Sequence, residues 1–118
     1  MPMTFRAKRY LLTTTFAVAA GLAMAIPASA QDAAKGQQVY TAQKCSVCHS
    51  IAGKGGKAGT LDGVGAKLSA DDIKQWITHP TDAAAKAKST KKPPMPNKYG
   101  KLPAADIDAL VAYMQSLK

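Results

Sequence analysis

Aromatic residues are scarce in this chain. They make up 6% of its 118 residues, and three of the seven (Phe5, Tyr10 and Phe16) stand close to the N-terminus. Glutamate is absent, so all seven acidic residues are aspartates, and no arginine occurs beyond Arg9. Only two cysteines and two histidines are present. The short length and thin aromatic content exclude a nucleotide-binding α/β fold, a barrel enzyme and a multi-domain assembly, none of which fits in one small domain. A domain of this size buries little of its surface and needs a staple: a metal, a disulfide or a bound cofactor. The shortage of acid leaves a net charge of +9, carried beyond Arg9 by lysine alone.

The first thirty residues read as a leader. Arg6, Lys8 and Arg9 precede an apolar run from Tyr10 to Ile26, and Ala28-Ser29-Ala30 fits a small-residue cleavage site after Pro27. The run is shorter than a bilayer span, and Thr13, Thr14 and Thr15 dilute it. The division expected is a signal peptide over residues 1–30 and a folded domain over 31–118. An uncleaved N-terminal anchor is the alternative. Either way the domain is expected outside the cytoplasm, in a periplasm, without stable membrane insertion once the leader is removed. Nucleic acid is not a partner for such a chain, despite its charge.

The mature segment reads as helical throughout, with no strand signal. Residues 32–44 suggest one amphipathic helix with Asp32 as its N-cap. Six glycines between Ile51 and Ala66 mark a loop packed against something flat or bulky. Ser69 and Asp72 form a capping box, Leu68 and Ile73 take the staple positions, and Ile73, Trp76 and Ile77 make one apolar stripe. His79-Pro80 ends that helix, and residues 82–88 allow a further helical turn or two. Pro93, Pro94 and Pro96 force an extended strap between Lys91 and Tyr99. Pro103 opens a last helix, striped by Ile107, Leu110, Val111, Met114 and Leu117.

Cys45-Ser46-Val47-Cys48-His49 has the Cys-x-x-Cys-His form through which c-type haem is attached. Two thiols at this spacing on a helical turn reach the vinyl groups on one edge of the macrocycle, and the next imidazole reaches the iron. A redox dithiol would expect a βαβ context, a zinc site wants four N/S ligands where only two Cys and two His exist, and a structural disulfide leaves His49 idle. For the sixth iron position the candidates are Met95, Met114 and His79. Met114 sits on an apolar helical stripe and reads as core, and His79 as a helix-end cap. Met95 stands on a proline-stiffened strap with no helical face to pack, so the reading favours it, with His79 and an open site as alternatives. Trp76 either turns its N–H to a haem edge or propionate, or packs in the core.

With Cys45–His49 near the front and Met95 well downstream, residues 32–118 resemble a class I c-type cytochrome of the small, monohaem, bacterial periplasmic type. Gly36 and Tyr40 match the family's small-plus-aromatic pair on the first helix, and Leu110 and Tyr113 the aliphatic-plus-aromatic pair on the last. Gly63-Val64-Gly65 and the run Trp76-Ile77-Thr78-His79-Pro80 also look like the family. The resemblance implies an all-α, small cytochrome c fold: three to four helices wrapped around one covalently bound haem c with its iron. The family's usual proline after the attachment loop is absent from Ala58-Gly59-Thr60-Leu61, and a backbone carbonyl near Gly59 is expected to hold His49 instead.

The function expected is electron transfer rather than enzymatic catalysis, one electron at a time on a His/Met-ligated haem. Redox-partner proteins with acidic docking faces (an oxidase, reductase or dehydrogenase) would be steered to lysines near Cys45 and around Met95. Two alternatives are a haem subunit of a larger dehydrogenase or oxidase complex and, less consistent with the residues, a haem enzyme or sensor with an open sixth site. The latter would want a distal acid–base group, for which only His79 remains.

Overall fold

A computed structural model of the chain describes residues 28–118, with Gly21 described in isolation. The leader expected over residues 1–30 lies outside the described residues except for Gly21 and Ala28–Ala30. The fold is mostly helical, as expected, with one small sheet. Helix α1 spans Ala28–Ala42, α2 Val64–Lys67, α3 Ala70–Thr78, α4 Pro80–Lys86 and α5 Ala104–Ser116; strands β1 His49–Ile51, β2 Lys54–Gly55 and β3 Gly59–Thr60 lie between α1 and α2. No helix among the described residues is long and apolar enough to cross a membrane.

Helices α1 and α5 make the most extensive contact among the described residues. Gly36, Val39 and Tyr40 recur at helical spacing on the buried face of α1. A Cβ at Gly36 would collide with the Ala109 carbonyl oxygen and stand 2.6 Å from Tyr113 Cβ, so glycine is what lets the two backbones touch. Beside that point the Tyr40 and Tyr113 rings meet edge to face, with centroids 5.7 Å apart. The glycine thus opposes Ala109 and Tyr113, while Leu110 turns to the core with Ile73, Ile77, Ile107, Val111 and Met114. Helix α2 is bolted to the end of α5 by backbone: Gly65 N–H donates to the Leu117 carbonyl at 2.8 Å.

Three expectations change. Helix α1 begins at Ala28, so Asp32 lies inside it and caps nothing; the alanines on either side of Asp32 are strong helix formers and carry the helix backward. The glycine-rich stretch is not all loop. Strand β1 pairs antiparallel with β2 (Ser50↔Gly55) and parallel with β3 (His49↔Gly59). Strands of two or three residues have no room for an alternating pattern, which is why no strand signal preceded them. Gly55, at φ +120°, lies so close to the His49 carbonyl that any Cβ there would clash. The extended strap stops at Pro96, and Asn97–Lys101 closes into a 3-10 turn.

The α3 start agrees with its sequence signature. Asp72 N–H donates to Ser69 Oγ at 3.1 Å, and Ser69 Oγ donates to Asp72 Oδ2 at 2.9 Å. The second of these bonds, and then Lys86 beside it, hold the Asp72 carboxyl below its ordinary range. A carboxyl whose folded pKa lies below its unfolded value stabilises the fold above the unfolded pKa, near 3.8, and loses that contribution as pH falls further. Ser69→Ala removes the cap and should lower unfolding stability by about 1 kcal/mol in a denaturant titration at neutral pH. The deficit should shrink in acid, and a deficit independent of pH below 4 would separate the cap from Asp72.

Candidate haem-binding site

Cys45 opens a 3-10 turn over Cys45–Val47, entered through Lys44 in the left-handed conformation (φ 56°) and closed by Cys48 N–H donating to the Cys45 carbonyl at 3.2 Å. The turn leaves Val47 70% exposed and sends both cysteines to the wall of one cavity. No disulfide joins them. Burial pushes the Cys45 thiol above its ordinary value, Cys48 adds to this, and Lys98 opposes it.

His49 follows in β1. Its pairing with Gly59 brings the ring Nδ1 to 3.0 Å from the Gly59 carbonyl oxygen. A carbonyl only accepts, so Nδ1 carries the proton and the Nε2 lone pair is left for a metal. This is the backbone contact expected near Gly59 in place of a proline. The Tyr40 hydroxyl, on α1, lies 3.4 Å from the His49 carbonyl, a long contact that brings the helix crossing up to the imidazole's backbone.

Cys45, Cys48, His49 and Met95 all line the same cavity. Its walls come from Leu68, Ile73 and Ile77 around α3, Leu110 and Met114 of α5, and the 89–95 strap, so both methionines of the folded segment border it. His79 does not. It is exposed at the end of α3, with Nδ1 2.8 Å from Thr78 Oγ1. Trp76 is half-buried and lines the cavity as well.

The strap enters through a feature the sequence did not announce. Helix α4 ends in a Schellman motif: Ser89 N–H donates to the Ala84 carbonyl at 2.9 Å and Lys88 N–H to the Ala85 carbonyl at 3.1 Å. Lys88 takes the left-handed position (φ 52°) usually held by glycine, and without a glycine there was no C-cap to read. The motif turns Ser89 and Lys91 onto the cavity wall.

No cluster of three or more His, Cys, Asp or Glu able to hold a metal ion occurs among the described residues. The donor set fits haem: two thiols beside an imidazole with a free Nε2, a thioether on the same wall, and apolar packing between. The cavity is an open, mostly apolar cleft of about 250 Å³, and its walls can cover a flat apolar group.

A family model described as cytochrome c matches residues 33–118. The chain therefore belongs to the cytochrome c family, whose members work by haem-based electron transfer and are typically carriers rather than enzymes; its cofactor is one covalently attached haem c with its iron. Comparison with curated proteins and with solved structures found no match.

Cys48→Ser should leave attachment incomplete and lower the yield of folded, coloured protein. Full thermal stability in a colourless Cys45→Ser/Cys48→Ser product would contradict the cofactor's place in the core.

Proposed function

We propose that this chain is an exported one-electron carrier of a periplasm, with His49 and Met95 as the axial ligands of its haem iron. The observation that carries the proposal is the His49–Gly59 bond, which fixes the tautomer and presents Nε2 at the wall where Met95 also stands. Bound haem supplies the Fe(III)/Fe(II) change. The protein's part is to hold the metal with two fixed side chains, so that little rearranges when the charge changes. A thioether ligand favours the ferrous state and raises the potential. Met95 is suited to that part because its segment is stiffened by Pro93, Pro94 and Pro96 and packs no helical face. Met114, 6% exposed within the hydrophobic core, reads as packing. An open-site enzyme is disfavoured because His79 lies off the cavity and no arginine follows Arg9. Export rests on the leader pattern of residues 1–30.

The charge distribution supports acidic redox partners, an oxidase, reductase or dehydrogenase. Three ion pairs occur among the described residues, and they tie helices α1, α3, α4 and α5: Lys35–Asp106 at 3.4 Å, Lys74–Asp108 at 3.5 Å and Lys86–Asp72 at 3.4 Å. Lys44, Lys54, Lys57, Lys91, Lys98 and Lys101 make no such pair, and they border the attachment turn and the strap. Lys98 Nζ sits 5.2 Å from the Tyr99 ring centroid, and Tyr99 lines the cavity. Surface pairs contribute little to stability, whereas an unpaired cationic rim draws acidic faces toward the haem. A subunit of a larger complex would need the same ligands and the same rim.

Met95→Ala should lower the reduction potential and let the reduced protein bind carbon monoxide promptly. Wild-type potential with no carbon monoxide binding would remove Met95 from the ligand set. Lys98→Glu with Lys101→Glu should slow electron exchange with an acidic partner by on the order of tenfold at low ionic strength, the difference fading as salt screens it. Equal rates at low salt would leave these lysines as solubilising charges.

A further inference from the structure

The cavity wall carries one lysine and no aspartate. Lys91 is that lysine, and it makes no ion pair among the described residues. Its neighbours Lys88 and Lys92 do not line the cavity. The backbone of Lys91 is set by two linked turns. Ser89 N–H closes the Schellman motif on Ala84, and Lys91 N–H donates to Ser89 Oγ at 3.4 Å, so this stretch of strap leaves α4 on a defined path. Pro93 follows two residues later and also lines the cavity.

The group this wall must accept is amphiphilic. A haem is apolar over most of its surface but carries two propionate carboxylates, and a carboxylate brought against apolar walls is unfavourable unless a cation or hydrogen-bond donors meet it. The Ser89 hydroxyl, which accepts from Lys91 N–H, keeps its own proton to donate.

We propose that Lys91, steered by the Ser89 turn, is the counter-charge of the haem propionates. This rests on the haem reading above. The ammonium lowers the propionate pKa by favouring the charged carboxylate, and its positive charge near the iron favours the ferrous form. The strap thereby serves the haem twice, through Lys91 at the carboxylates and through Met95 at the iron.

The test is a redox titration of the purified holoprotein from pH 5 to 9, comparing wild type with Lys91→Gln, Lys91→Arg and Lys92→Gln. Lys91→Gln should lower the midpoint potential and move the pH-dependent part of the curve upward, Lys91→Arg should restore most of both, and Lys92→Gln should stay near wild type. Lys91→Gln and Lys92→Gln remove the same charge one residue apart, so equal shifts would reduce the effect to bulk charge and overturn the assignment. An unchanged Lys91→Gln curve would do the same. Optical spectra of each sample keep the two readings separate. Wild-type protein without covalent haem would sink the functional reading and this one with it, whereas intact haem spectra with indifferent potentials would sink the Lys91 assignment alone.

Discussion

An apolar cleft that a small aliphatic core does not close is the constraint around which this domain is arranged. The core cluster is small and mostly aliphatic, drawn from α1, α3 and α5, and α4 adds only Pro80 and Ala83 to the buried residues. Haem completes what they begin. The crossing of α1 and α5 at Gly36 and Ala109 lets two backbones touch and leaves the attachment turn directly after α1, where Lys44 redirects the chain into Cys45. The small sheet then does one thing of consequence: it sets His49 against the Gly59 carbonyl and so decides which ring nitrogen is free.

Charge is organised on the same plan. Three carboxylates are paired with lysines on the helices, where each pair adds little but neutralises its surface. The cations around the attachment turn and the strap have no such partners. Lys91 stands apart from the rim because it also reaches the cavity wall.

Much of the fold was legible because its signals are local. The Ser69–Asp72 box, the break at His79-Pro80 and the aliphatic stripes of α3 and α5 each depend on residues within a few positions of one another, and each stands where the sequence put it. Where local signals were weak, expectation and structure part. Asp32 looked like a cap, but the surrounding alanines continue the helix past it. The strands are held by backbone pairing of segments too short to show a period. The Schellman turn after α4 was hidden because a lysine occupies the position a glycine normally marks.

The sequence alone determined the cofactor chemistry, since Cys45, Cys48 and His49 are adjacent and their spacing is itself the geometry of attachment. It also determined that Met95 stands on a segment that cannot be helical. Tertiary structure decided what depends on residues distant in the chain: which carbonyl holds the imidazole, that Met95 and not His79 borders the cavity, and which of the many lysines stands at its wall. Those choices are made by the packing of a strap and a sheet against three helices, and no pattern within either segment encodes them.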